Sequence, residues 1–402
     1  MNYLIFFSLI YLYLMLSTLI KASKKGTLYL WSPVIVLDVV YVVNVLIPYL
    51  LSVGPLNLND TFFNIVFYGL LIQIIFHLIL RKYNYKVYNI VLSDIYRKTN
   101  KQRYTIIICS LLLIILIGLF TGVTTGLITG KNIEDLRRTS EVGIGFIRDI
   151  PMLLVQVCTL IFLLSSTKNE RWKFMFIGME ACILFVSTGN KAPILNVALS
   201  YIAYLTIKYR GLKIYEYMLY YFSIPIAAAF LNSVRQGSFW NFIENFRNYF
   251  AYGTFIFQVN TVKVVQVTEA ENAFLNGEEF ISGIYKIIPR FIWNEKPLSF
   301  DYYYKDLIEY DFDGGGTPIA LIYRFYTNFG ESFYIYYILW LLFVVLMYRM
   351  AFRYTKGSTL FNVFFLFFIL CNLTPNGFLS FIEVWLLMCL VCIIVYKKIS
   401  II

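Results

Sequence analysis

Four stretches of the sequence gather cations, aromatic rings and backbone donors in patterns suited to holding a phosphate group. The first is Ser187-Thr188-Gly189-Asn190-Lys191-Ala192-Pro193, which separates two apolar runs by a few residues. Proline favours a first helical turn, where unpaired backbone N–H groups and the Lys191 charge together suit an anion, with Asn190 as a polar neighbour. The same residues also make an ordinary tight turn with a snorkelling lysine. The second is Ser233-Val234-Arg235-Gln236-Gly237, where an arginine at the end of an apolar run can grip a phosphate through two parallel N–H bonds or act as an interfacial anchor. Trp240 and Arg247 follow in a segment whose aromatic spacing predicts an interfacial helix or a core-facing stripe.

The third stretch is Ile288-Pro289-Arg290-Phe291-Ile292-Trp293-Asn294-Glu295-Lys296-Pro297. Two prolines restrict the backbone around Arg290, Lys296 and Glu295, and the Trp293 face suits a sugar ring. A structured loop with a surface ion pair is the plain alternative. The fourth runs from Gly314-Gly315-Gly316-Thr317-Pro318 through Tyr323-Arg324-Phe325-Tyr326-Thr327-Asn328-Phe329-Gly330-Glu331. It is too polar for a clear membrane span and reads as a re-entrant or interfacial segment over 317–330, with Arg324 facing a cavity and Asn328 a further candidate for binding the substrate.

A reaction that releases a diphosphate needs little more than preorganised cations, here Lys191, Arg235, Arg290 and Arg324, with Arg247 and Lys296 in reserve. A carboxylate that takes a proton from an attacking hydroxyl has three candidates, Glu278, Glu295 and Glu331, and spacing does not choose among them. The one histidine, His77, lies inside an apolar run. Asp38 and Glu180 are acids in apolar runs, suited to a proton relay or, more simply, to a structural partner. No Walker loop, dinucleotide fingerprint or H-E-x-x-H zinc motif is present, and the six cysteines fall inside apolar runs without metal-ligand spacing. The expected site therefore uses no cofactor and no metal.

The elements that must carry these residues follow from composition. The chain has 402 residues, 59% hydrophobic and 14% charged, with a mean hydropathy of +0.69. Soluble globular domains, disordered chains and disulfide scaffolds do not have this balance. The net charge of +11 sits mostly in short links between apolar runs, which points to an oriented membrane protein and away from nucleic acid. Long unbroken apolar runs predict helices rather than barrel strands.

The expected fold is an all-α polytopic membrane protein forming one transmembrane domain over 1–402. It has about eleven spans, near 2–20, 28–51, 61–80, 105–125, 147–166, 173–188, 192–207, 217–233, 331–350, 359–373 and 380–396. The basic links put the C-terminus in the cytoplasm and make 234–316, which holds eleven of the 23 acidic residues, a large external loop. Eight spans before that loop and three after it count against a transporter or flippase built from repeats. A membrane-bound O-acyltransferase would have only His77 to offer.

With these motifs placed, the chain resembles the bacterial oligosaccharide repeat-unit polymerases, the O-antigen and capsule polymerases of the flippase-dependent pathway. The resemblance rests on the Thr-Gly-Asn-Lys-Ala-Pro turn, the arginine after the next apolar run, and the loop ending Ile-Pro-Arg-Phe-Ile-Trp-Asn-Glu-Lys-Pro. The Gly-rich entry to a segment ending Asn328-Phe329-Gly330 adds to it. It implies a membrane fold like that of the glycosyltransferase-C enzymes, in the bacterial inner (cytoplasmic) membrane. It also implies polymerisation of undecaprenyl-pyrophosphate-linked repeat units into O-antigen, capsule or exopolysaccharide. The implied partners are the lipid-linked glycan, the lipid bilayer, a chain-length regulator and a flippase. The related ligases use a histidine in the large loop, which this chain lacks, and that favours polymerase over ligase.

Overall fold

In a computed structural model the described residues are mostly helical, joined by short turns and loops. The described residues are 2–24, 37–38, 41–52, 58–81, 100–120, 124, 151, 155, 159, 162–163, 166, 169–188, 197–198, 200–202, 204–205, 213–216, 219, 254–285, 293, 295, 300–309 and 319–354. The chain divides into two compact units. One is built from Met1–Lys86, Asn248–Ser358 and Phe368–Trp385, the other from Val87–Arg247, Thr359–Phe367 and Leu386–Ile402.

The first unit begins with helix α1 (Asn2–Lys24). A π-turn over Val42–Leu46 leads into α2 (Ile47–Ser52), and α3 follows (Asp60–Leu80). Helix α3 starts where Asn59, in extended backbone, accepts the Phe62 N–H on its side chain at 3.1 Å, and Asp60 complements the positive end of the helix. Its buried residues include Phe62, Ile65, Val66, Gly69 and Leu70, the three-and-four spacing of one helical face. Tyr68, Ile75, Leu78 and Ile79 are exposed. Helix α1 packs on α3.

A buried polar chain ties these elements together. The Tyr11 hydroxyl donates to Asp38 at 2.8 Å, His77 Nδ1 lies 2.7 Å from the other Asp38 oxygen, and His77 Nε2 lies 2.9 Å from the Thr18 hydroxyl. A buried acid in an apolar setting needs such donors, and here it has two.

The second unit contains α4 (Asn100–Phe120) and α5 (Glu170–Thr188), packed against each other. Helix α5 starts at Asn169, whose side chain accepts the Trp172 N–H at 2.9 Å. Glu180 is fully buried and accepts the Thr159 hydroxyl. Lys173 is buried against the Tyr204 ring, with its ammonium 4.3 Å from the ring centre.

The eleven-span polytopic fold is corrected by this structure. Among the described residues only two helices are long and apolar enough to cross a membrane, Tyr3–Lys24 and Asp60–Leu80. Hydropathy counts apolar residues but does not measure how long a helix runs or where charge enters it. Helix α4 is apolar only over Ile107–Phe120, and α5 carries Glu170, Arg171, Lys173 and Glu180. Half of the Asp60–Leu80 window is buried inside the protein, as in a core helix. The glycosyltransferase-C-like membrane fold and the multi-pass placement in the bacterial cytoplasmic membrane, with an external loop and a cytoplasmic C-terminus, lose their support with it. The description as a clear multi-pass membrane glycosyltransferase reduces to a partial membrane signal in two helices.

The α4–α5 contact depends on a missing side chain. A Cβ on Gly118 would sit 2.4 Å from the Ser187 carbonyl oxygen and 2.8 Å from its Cα, which is backbone that cannot step aside cheaply. Gly118→Ala is therefore expected to destabilise the protein by about 1–3 kcal/mol in denaturant titrations. Gly178→Ala, on the exposed side of α5 with nothing within 4 Å, is expected to be neutral or mildly stabilising.

Candidate functional site

The polar cluster of the first unit lies on three short helices, α7 (Glu278–Tyr285), α8 (Phe300–Leu307) and α9 (Leu321–Phe329), and two longer ones, α6 (Thr254–Ala270) and α10 (Phe333–Tyr354), pack on α9. Helix α9 is fixed at both ends. Ala320 enters in extended backbone, and Gly330, at φ 55°, leaves after donating its N–H to the Tyr326 carbonyl. Seven of the nine α9 residues, Ile322 through Asn328, are buried.

Apolar contacts set the rotation of α9. Tyr323 stacks on Phe62 of α3 with ring centres 4.8 Å apart, and Ile322 fills the space that a side chain on Gly69 would occupy. Phe325 stacks on Phe280 of α7 at 5.0 Å. The remaining face carries Arg324, Thr327 and Asn328, spaced i, i+3 and i+4 so that they lie together. The loop before α7 is pinned to the same helix by the Leu275 N–H, which donates to the Thr327 carbonyl at 3.1 Å.

At the centre is Glu279, fully buried on α7. Its Oε1 accepts from Arg324 Nη1. Its Oε2 accepts from the Tyr304 hydroxyl of α8 at 2.7 Å and from Asn328 Nδ2 at 2.8 Å. Arg324, only 5% exposed, also donates from Nε to the Ile319 carbonyl at 3.1 Å. Its guanidinium lies 5.7 Å from the Tyr304 ring centre, and the Thr327 hydroxyl is 2.9 Å from the Tyr304 oxygen. Burial first, then the adjoining Glu279 charge, holds the Tyr304 phenol well above its usual range, so it remains a donor. Three donors, one of them a guanidinium, satisfy this carboxylate where water does not reach it.

A second carboxylate is oriented at the edge of this unit. Glu269, at the end of α6, accepts from Asn59 Nδ2 at 3.1 Å and from the Thr61 hydroxyl at 2.8 Å, and it is exposed. Burial, followed by the Glu269 charge, pushes the neighbouring Tyr326 phenol up to about 12.

Of the residues singled out in the sequence, Arg324 and Asn328 are brought together, both bound to Glu279. Glu278 is exposed at the start of α7, and Glu331 is exposed in the 3-10 turn (Gly330–Ser332) that follows α9. Glu295 is exposed in a turn, and Trp293 is partly exposed. Lys191, Arg235, Arg290, Asn190, Trp240, Arg247 and Lys296 lie outside the described residues. Glu279 and Tyr304 were not singled out. The polar i, i+3, i+4 stripe of α9 was the signal that α9 needs polar partners, but it did not say which acid would meet it. His77, the residue an acyltransferase would use, has both ring nitrogens engaged inside the protein. Among the described residues no group of three or more metal-ligating side chains forms.

Removing one partner from a buried ion pair strands the other. Arg324→Met is expected to cost about 3–5 kcal/mol of folding stability, and the double variant with Glu279→Gln to recover a large part of it. Denaturant titration of the two single variants and the double variant checks this.

Two curated relatives match the chain, the O-antigen polymerases of Salmonella typhimurium (strain LT2) and Salmonella typhi. Each is 27% identical over 250 residues, covering 59% of this chain. The chain spans 58% of the length of these relatives. No family model and no solved structure matches the chain. The chain is thus distantly and partially similar to proteins named O-antigen polymerase.

Proposed function

We propose that this protein is a glycosyltransferase that joins oligosaccharide repeat units carried on undecaprenyl pyrophosphate. The observation that carries the reading is the 250-residue likeness to two O-antigen polymerases. The sequence motifs of 187–193 and 288–297 support it, since they gather cations and a sugar-stacking ring.

In the proposed reaction a hydroxyl oxygen of one lipid-linked unit attacks the anomeric carbon of another. The bond from that carbon to the diphosphate oxygen breaks, and the lipid diphosphate leaves with the electron pair. The hydroxyl proton passes to a carboxylate. Because the donor carries its own leaving group, no nucleotide is consumed. Lys191, Arg235 and Arg290 supply the charge that stabilises the departing diphosphate, with Arg247 and Lys296 in reserve. Trp240 and Trp293 provide faces for sugar rings. Among the candidate bases, Glu278 and Glu331 stand exposed at the ends of helices whose rotation is locked by packing, which suits a group that must meet a hydroxyl in one geometry. A chain-length regulator and a flippase are the partners such a reaction would draw on.

The test is the glycan profile of a strain lacking this gene and complemented with variants. Wild type is expected to restore long chains. Arg235→Ala and Arg290→Ala are expected to leave single repeat units on lipid. Wild-type ladder lengths in both variants remove these two cations from the mechanism, and full-length polymer without the gene sinks the assignment itself.

A further inference from the structure

Asn328 spends both amide hydrogens inside the protein: Nδ2 donates to Glu279 Oε2 and to the Arg324 carbonyl, each at 2.8 Å. A flipped amide would set its oxygen against a carboxylate and a carbonyl, so the orientation is fixed. That leaves Oδ1 as an acceptor on a side chain with 0% exposure, and among the described residues no donor reaches it. An oriented buried acceptor without a partner calls for a donor from outside the chain.

The chemistry of that donor follows from the surroundings. Among the described residues Glu279 and Arg324 balance each other, and Tyr304 and Thr327 are neutral, so these groups together bring no net charge to attract an ion. A diphosphate offers only acceptor oxygens once ionised, and these gain nothing from a carbonyl oxygen. A hydroxyl or an amide N–H does.

We propose that Asn328 Oδ1 is a contact point for a hydroxyl or acetamido N–H of the glycan, and that Glu279 is the positioning residue that sets the amide for it. This inference rests on the proposed function for the glycan itself. It separates sugar recognition, at the neutral α7–α9 cluster, from diphosphate binding. The acceptor is closed off in this structure, so a glycan meets it through an opening that leaves the Glu279–Asn328 bond between α7 and α9 in place. A trapped water is the competing source of the same O–H group.

The experiment uses the full chain in detergent with two probes, inorganic pyrophosphate and the lipid-free repeat-unit oligosaccharide, read by calorimetry. Asn328→Ala is expected to weaken oligosaccharide binding about tenfold, about 1.4 kcal/mol, and to leave pyrophosphate binding unchanged. Glu279→Gln is expected to weaken the oligosaccharide similarly, and the double variant no further, since both act through one contact. In turnover, KM for the acceptor rises while kcat holds. Asn328→Ser is read in place of the alanine variant where the latter does not fold.

Oligosaccharide binding equal to wild type in a folded Asn328 variant overturns the proposal and leaves Oδ1 to a trapped water. Equal losses of both probes also overturn it, as a merely structural role would produce them. A wild-type protein that binds the oligosaccharide through Asn328 but never lengthens a glycan defeats the proposed function alone. A protein that lengthens glycans with no effect of Asn328 defeats this inference alone.

Discussion

One buried negative charge, that of Glu279, sets the terms for the helices around it. A carboxylate taken out of water loses several kcal/mol of hydration, and only oriented donors with a counter-charge recover it. Here the donors come from two other helices, Tyr304 on α8 and Arg324 and Asn328 on α9. None of the three helices exceeds nine residues, and helices that short are marginal in isolation. Their stability therefore comes from mutual packing, and the carboxylate supplies direction to that packing. Apolar stacking of Phe280 on Phe325 and Phe329 tolerates sliding, whereas the hydrogen bonds to Glu279 do not.

The same rule recurs between α1 and α3. Asp38 is buried, and Tyr11 and His77 each engage one of its oxygens. His77 then reaches Thr18 through its second nitrogen, so one acid ties down groups from three parts of the chain. In an apolar protein each such network specifies a register that hydrophobic contact alone leaves loose.

The sequence made the helical class legible, because the apolar runs are unbroken and do not alternate. It also set apart the segment that carries Arg324 and Asn328 as polar in an apolar setting. It did not show which acid would meet them. Glu278 and Glu279 are neighbours, and a step of one residue turns a helix by roughly 100 degrees, so one is exposed and the other is fully buried. That choice is made by Phe280 stacking on α9, a contact between residues far apart in sequence. The span count failed for a related reason. Hydropathy reads composition, whereas a core helix and a membrane helix have similar compositions and differ in what surrounds them.

The burial of Arg324 also bears on where a diphosphate would be held. A guanidinium matched by a carboxylate brings no net charge to a ligand, and an anion that displaced Glu279 would have to leave that carboxylate buried without its counter-ion. A diphosphate carries several negative charges and gains most from cations that have no acid of their own. The α7–α9 cluster is therefore better suited to neutral hydrogen-bonding groups than to the leaving group. On the proposed reaction the electrostatic work falls to Lys191, Arg235 and Arg290. The division is chemically sensible: a polymerase must distinguish its sugar by directional hydrogen bonds, while any lipid diphosphate can be held by charge alone.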